Sequence, residues 1–237
     1  MAYQSVFKRI ELKYLITAEQ KERLMRAIGA HLREDAYGET VIRNLYFDTP
    51  DYRLIRRSVE KPPYKEKLRM RSYGRAEKKD VVFLEIKKKY KSVVYKRRMS
   101  MTEESAIAWI EKREPSAPLT QIAKELAYFR DFYASLRPMA FISYKRQAYY
   151  AKDDRELRVT FDEDIRYRGE LLTLDSEPFG DALLPKGKAL MEIKCIGAIP
   201  LWLVHVLSDE KIYKTSFSKY GTAYLKFILP KMQEDKL

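Results

Sequence analysis

Lys67, Arg69 and Arg71 alternate with Leu68, Met70 and Ser72 in the stretch KEKLRMRSY, residues 65–73. Side chains of a strand alternate between two faces, so the three cations share one face and the apolar residues the other. Arginine forks pair with two phosphate oxygens and lysine supplies point charge, so such a face suits a chain of phosphates. The alternation recurs in Arg9-Glu11-Lys13, Glu85-Lys87, Lys96-Arg98, Arg158-Thr160-Asp162 and Glu192-Lys194. Face after face carries Arg, Lys and Glu together, which points to strands curled into a barrel around a shared polyanion. Anion binding alone has no use for the glutamates. Glu85 and Glu192 would either hold Mg²⁺ or Mn²⁺, bridging carboxylate and phosphate oxygens, or pair with nearby lysines and limit self-repulsion.

The whole chain agrees with an anionic partner. Its 237 residues carry a net charge of +13 and a pI near 9.5. Nucleic acid, acidic lipid and phosphate-rich small molecules all fit that excess. Hydrophobic residues make up 46%, and Gly and Pro are sparse, so the chain folds. With neither repeat nor low-complexity tract, and helices inserted between strands of one sheet system, a single domain over 1–237 is expected. Cys195 is the only cysteine, which excludes an intrachain disulfide and a Cys-based zinc site. The first residues lack an apolar core, so they do not read as a signal peptide. The longest near-apolar run, Ile196–Leu207, contains Pro200 and His205 and is too short to span a bilayer. A cytoplasmic protein without a transmembrane segment is the expectation.

Several chemistries are absent. There is no GxxxxGK[ST] and no GxGxxG; LPKGKA at 184–189 reads as a turn. His31 and His205 fall on predicted helices, far apart, and read as surface or packing residues. No serine or cysteine stands in a pattern with a histidine. An enzyme built on this chain works with Arg, Lys and carboxylates.

The positioning elements follow from period and punctuation. Strands are expected at 6–14, 41–48, 65–73, 81–89, 93–99, 140–150, 157–164 and 189–195, with a short one at 169–174 in an otherwise irregular 165–187. Thr17, with Gln20 three residues on, caps a helix whose apolar stripe is Leu24, Ile28 and Leu32. Further helices are expected over 52–58, from Thr102 to about Lys112, over 120–136, from Pro200 to Ser208 and over 217–229, with a loop marked by Pro115 and Pro118. The fold class is α+β: an antiparallel eight-stranded barrel with helices packed outside.

The ordered set RIELKY (9–14), RNLYFDT (43–49), KLRMRSY (67–73), FLEIKKK (83–89), YKRR (95–98), YKRQAY (144–149), LRVTFDEDI (157–165), MEIK (191–194) and SFSKYG (216–221) resembles the VTC-type polyphosphate polymerase domain of the triphosphate tunnel, or CYTH-like, superfamily. The resemblance covers nearly the whole chain and implies an eight-stranded tunnel that binds a triphosphate with a divalent metal. Hydrolases and cyclases of that superfamily typically begin Glu-x-Glu-x-Lys; here Arg9 takes the first position. A cation there weakens a metal site on that strand and favours a long phosphate chain, as in the polymerase branch. Neither the SPX domain nor the membrane segment of the eukaryotic polymerases is seen, so the resemblance is to the stand-alone bacterial form.

What the resemblance implies for the site is specific. Lys13, Arg69, Arg71, Lys87, Arg146, Arg158 and Lys194 would act on the reacting phosphates. Lys67, Lys96, Arg98 and Lys219 would bind substrate. Glu192 foremost, with Glu85 and Glu11, would hold Mn²⁺ or Mg²⁺. ATP and polyphosphate are the expected partners, with no specific nucleic acid. The expected reaction is transfer of the γ-phosphate of ATP to a polyphosphate end. A hydrolase on the same scaffold and a non-catalytic binder of polyphosphate or nucleic acid are the alternatives. The 18 tyrosines could stack bases, but they mostly flank apolar strand positions and read as core.

Overall fold

A computed structural model describes residues 9–91, 93–111 and 120–234. Residues 6–8 of the expected first strand, Lys112 and the loop of Pro115 and Pro118 lie outside them, as does the side chain of Arg9. In chain order the elements are β1 (Arg9–Thr17), α1 (Ala18–Ile28), β2 (Leu32–Glu34), β3 (Thr40–Asp48), α2 (Arg53–Val59), β4 (Tyr64–Tyr73), β5 (Val81–Tyr90) and β6 (Val93–Thr102). Then come α3 (Glu103–Ile110), α4 (Gln121–Tyr133), β7 (Arg137–Ala151), β8 (Arg158–Arg168), β9 (Asp181–Ala182), β10 (Lys188–Ile196), α5 (Leu201–Asp209), β11 (Lys214–Thr215), α6 (Lys219–Ala223), a π-helical turn (Tyr224–Ile228) and α7 (Leu229–Glu234).

Helix starts follow the caps. The Thr17 hydroxyl accepts from the Gln20 amide, and the Gln20 side chain accepts from the Thr17 amide. Thr102 and Thr120 accept from Ser105 and Ala123. Each bond satisfies an N–H that the first helical turn leaves without a partner. At α2 the N-cap Tyr52 offers no side-chain bond, and the buried carboxylate of Asp48 accepts instead from the amides of Leu54 and Ile55, as well as from that of Thr49.

Departures from the sequence reading have local causes. Strands β2, β9 and β11 have two or three residues each, too few for a period of two to show. No strand forms at 169–174, because β8 runs on to Arg168 and its guanidinium collects the carbonyls of Glu170, Leu171 and Thr173. Leu32 leaves the α1 stripe and lies buried on β2. The last helix runs to Glu234 through a π turn, just before Pro230, which has no N–H for the ladder.

The described residues form an antiparallel sheet of 11 strands in the order β11-β1-β10-β8-β7-β3-β4-β5-β6, with β2 on β7 and β9 on β8. The closed eight-stranded barrel is therefore corrected to an open order that ends at β11 and β6. Charge alternation fixes the face each residue occupies. Closure depends on tilt and stagger between strands distant in sequence, which alternation does not encode.

The chain divides into two compact units. The first comprises the residues up to Val41, Tyr144–Ile165 and Leu184–Phe217. Its core joins Ile16, Leu24, Ile28, Val159, Phe161, Met191, Ile193 and Leu203. The second comprises Ile42–Ser143, Arg166–Leu183 and the residues from Ser218. Its core joins Leu45, Phe47, Leu68, Met70, Leu84, Ile86, Trp109, Leu126, Phe129 and Phe141. In both units the apolar partners of the alternating charges supply the core. No described helix is long and apolar enough to cross a membrane.

Candidate functional site

In the second unit the charges of β4, β5 and β6 fall into rows. Lys67 lies opposite Lys87, which lies opposite Lys96; Arg69 lies opposite Glu85, which lies opposite Arg98. The rows are two residues, about 7 Å, apart along the strands. Like charges directly opposite one another destabilise a sheet, so the lysine row favours nearby anions, of which Glu85 supplies one to Lys96 at 2.7 Å.

Glu85 organises the second row. It is 1% exposed. Its Oε2 accepts from Arg69 Nε at 2.9 Å and Nη2 at 2.8 Å. Its Oε1 accepts from Arg98 Nε at 2.7 Å and lies 2.7 Å from Lys96 Nζ. Burial alone would raise its pKa, but Arg69, Arg71 and Lys96 outweigh burial and hold the carboxyl far below the usual range. Lys96 moves the other way. Desolvation, helped by Arg69 and Arg98, pushes it down to about 7 against the pull of Glu85.

Neighbours orient these cations. Arg71 Nε donates to Asn44 Oδ1 at 2.9 Å, and buried Asn44 donates to the Ile142 carbonyl at 2.9 Å. Arg98 lies over the Phe83 ring at 4.4 Å and donates to the Tyr73 hydroxyl at 3.2 Å. Lys67 Nζ donates to Ser218 Oγ at 2.9 Å, and that oxygen also takes the Gly221 amide at the start of α6, next to Lys219. A Cβ on Gly221 would fall 3.1 Å from Ser218 Oγ, so glycine permits this close cap. Tyr220 anchors α6 by donating to Asp48 and stacking on Tyr46 at 4.7 Å.

The first unit holds a second cluster, on β1, β10 and β8. Lys13 lies opposite Glu192, which lies opposite Thr160; Glu11 lies opposite Lys194, which lies opposite Arg158. Lys13 Nζ is 3.4 Å from Glu11 and 3.3 Å from Glu192, and donates to the Phe217 carbonyl at 3.0 Å. Lys194 Nζ is 3.8 Å from Glu11 and 3.9 Å from Glu192. Arg146 clasps buried Asp162 with two N–H groups at 2.6 and 2.7 Å, and its Nη2 is 3.6 Å from Glu192. Desolvation would lower Arg146, but Tyr144, Asp162 and Glu192 raise it well above its ordinary value. Desolvation lowers Lys194, with Arg146 and Arg158 adding to the effect against Glu192 and Glu11. Arg158 Nη2 is 3.3 Å from Asp35, and its guanidinium lies over the Tyr150 ring at 5.0 Å. Arg158 Nε and Thr160 Oγ1 are buried and have no hydrogen-bond partner among the described residues.

The expected residues thus gather into two groups. Lys67, Arg69, Arg71, Glu85, Lys87, Lys96, Arg98 and Lys219 are in the second unit; Glu11, Lys13, Arg146, Arg158, Glu192 and Lys194 are in the first. Among the described residues no three His, Cys, Asp or Glu side chains gather so as to hold a metal by themselves. Neither Asn44 nor Asp162 is among the site residues expected from the sequence. Both had a signal: Asn44 is the amide in the largely apolar run NLYF, and Asp162 is the third member of the Arg158-Thr160-Asp162 alternation.

A model of the VTC domain matches residues 8–228, almost the whole chain. The chain belongs to the VTC-domain family. This VTC domain also resembles solved structures. A proposed adenylate cyclase from Bacillus halodurans matches with a TM-score of 0.55 at 14% identity, over 89% of this chain and 95% of that one. A proposed adenylate cyclase from Vibrio parahaemolyticus matches with a TM-score of 0.52 at 12% identity, over 92% and 98%. A proposed adenylyl cyclase from Hippeastrum, described as having a dominant triphosphatase activity, matches with a TM-score of 0.50 at 18% identity, over 90% and 93%. At these identities the likeness concerns the fold. No curated protein matches the sequence.

Proposed function

We propose that this VTC domain is a polyphosphate polymerase, transferring the γ-phosphate of ATP to a growing polyphosphate chain with a divalent cation. The observation that carries the reading is the pair of rows on β4–β6, which set five cations, Lys67, Lys87, Lys96, Arg69 and Arg98, side by side with the carboxylate of Glu85. A bound polyanion matches this concentration of positive charge and restores the charge of Lys96. Glu85 is gripped by Arg69, Lys96 and Arg98, so its part is to space those cations.

Glu192 and Glu11 are the residues that would hold Mn²⁺ or Mg²⁺. Such ions keep to one or two carboxylates and take substrate phosphates and waters for the rest of the shell. Two carboxylates that share Lys13 and Lys194 as partners fit that requirement without a third acidic ligand. Bound there, the ion would withdraw charge from phosphate oxygens.

The protein's own residues hold and neutralise the reacting phosphates. Arg146, braced by Asp162, presents a fixed fork, while Lys13, Lys194 and Arg158 supply further positive charge. A terminal oxygen of the acceptor chain attacks the γ-phosphorus, the bond from that phosphorus to the β–γ bridging oxygen breaks, and ADP leaves. The attacking oxygen is already ionised near neutral pH, so no general base is needed. Charge developing on the bridging oxygen is met by prearranged cations, which is where catalysis of phosphoryl transfer resides.

A second reading is a triphosphatase on the same scaffold, with water as the nucleophile. The observation favouring it is the triphosphatase activity described for the Hippeastrum neighbour. Incubation with ATP and Mn²⁺ separates the two. Long chains on a polyphosphate-stained gel are expected; release of free phosphate alone would overturn the polymerase and leave the triphosphatase. Binding without turnover would overturn both.

A further inference from the structure

Within the second unit, a cavity of about 190 Å³ lies on the side of β4 opposite the phosphate-facing cations. Glu66 lines it and shares its strand face with core residues Leu68 and Met70, whereas Lys67 and Arg69 point the other way. The Glu66 carboxylate accepts from the hydroxyl of Tyr64 and, at 2.7 Å, from that of Tyr133. The walls are aromatic. Tyr128 and Phe132 stand one helical turn apart on α4 with rings stacked at 6.2 Å, and Phe132 meets Tyr133 edge-on at 4.9 Å. Phe129, Arg57 from the last turn of α2, and Lys88 on β5, whose Nζ is 3.8 Å from Glu125, complete the lining. Tyr128 is 70% exposed and Phe132 53%, an unusual amount of open ring surface for side chains the core could have buried.

We propose that this cavity binds a purine nucleotide through its base, with guanosine monophosphate as the preferred minimal ligand. Three features have to be explained together, and each simpler ligand leaves one out. An inorganic phosphate would use Arg57 and Lys88 but not the exposed rings of Tyr128 and Phe132, of which Phe132 already carries the Arg53 guanidinium over its ring at 5.7 Å. An organic cation would use the rings and Glu66 but would meet Arg57 and Lys88. A nucleotide uses all three: its base stacks on the α4 rings, its N–H groups donate to Glu66, and its phosphate meets the two cations. Each oxygen of Glu66 keeps a lone pair beyond the one that its tyrosine takes. The guanine edge offers two adjacent N–H donors to one carboxylate, whereas adenine offers one amino group. That difference sets the order guanine before adenine. The site shares no residue with the phosphate rows, so it stands whether or not the transfer reaction does.

Isothermal titration of the whole protein with guanosine monophosphate tests the proposal, with adenosine monophosphate, ribose 5-phosphate and tripolyphosphate as comparators. Guanosine monophosphate should bind more tightly than adenosine monophosphate, and ribose 5-phosphate least. Tyr128→Ala, Phe132→Ala and Glu66→Gln should each weaken it by about tenfold or more, the loss expected for one stacked base or one paired edge. The same variants should bind tripolyphosphate as the parent does, which also shows that they fold. Equal binding of ribose 5-phosphate would overturn the base-binding site in favour of a plain anion contact. Displacement of guanosine monophosphate by tripolyphosphate would place the nucleotide on the phosphate rows and overturn it too, as would unchanged affinity in Tyr128→Ala and Glu66→Gln together.

Discussion

Lys96 should report phosphate binding as a proton taken up. Its ammonium is pushed down to about 7 by desolvation and by Arg69 and Arg98, against about 10.4 for an ordinary lysine. A phosphate chain laid on the row brings negative charge to Nζ and returns the pKa toward the ordinary value. At pH 8 the free side chain is then about one-tenth protonated and the bound one almost fully, an uptake of ~0.9 proton per site. With 42% of the side chain in solvent, screening trims this, and ~0.5 to 0.9 proton is the expected range. The sign is fixed: the complex holds more protons than the free protein, so affinity falls as pH rises above about 7. For the ligand-free protein, the unfolded chain holds more protons between about 7 and the ordinary lysine value. Stability therefore rises with pH across that window, and the cost of charging Lys96 is fully present below it. Titration of tripolyphosphate at pH 8 in two buffers of different protonation enthalpy gives the proton count from the difference in heat. Identical heats in both buffers would refute the reasoning, and so would an uptake that persists in Lys96→Met.

The carboxylate and the orphaned hydroxyl of the first unit give two more tests. Glu192→Gln keeps the size and one acceptor oxygen but loses the charge; transfer should drop by about 100-fold, equivalent to a few kcal/mol of lost charge stabilisation. Raised Mn²⁺ should restore part of that rate while tripolyphosphate still binds, and Mn²⁺ titrations that superimpose after scaling would rule out the ligand role. Thr160→Val removes a buried hydroxyl that has no partner among the described residues, so the ligand-free protein should gain about 1 kcal/mol and melt about 2–4 °C higher. A lower melting temperature would show that the hydroxyl is satisfied in the folded protein.

The sequence by itself determined the faces. A strand has only two sides, so Lys67, Arg69 and Arg71 had to part from Leu68 and Met70, and Lys13 from Tyr14 and Ile16, wherever the strands went. Caps were equally legible, because Thr17 with Gln20, Thr102 and Thr120 act within one helical turn. The tertiary structure alone decided which charges meet. Glu85 and Glu192 stand in near-identical sequence settings, each followed two residues on by a lysine. Cross-strand register gives Glu85 the neighbours Arg69 and Arg98, and gives Glu192 the neighbours Lys13 and Thr160. One carboxylate is therefore clamped by arginine forks and the other shared among cations at 3.3 to 3.9 Å. Register between strands far apart in the chain is set by hydrogen-bond pairing and turn geometry, not by periodicity. For the same reason the open order of the sheet, the brace of Asn44 on Arg71 and the clasp of Asp162 on Arg146 became visible only when the strands were side by side.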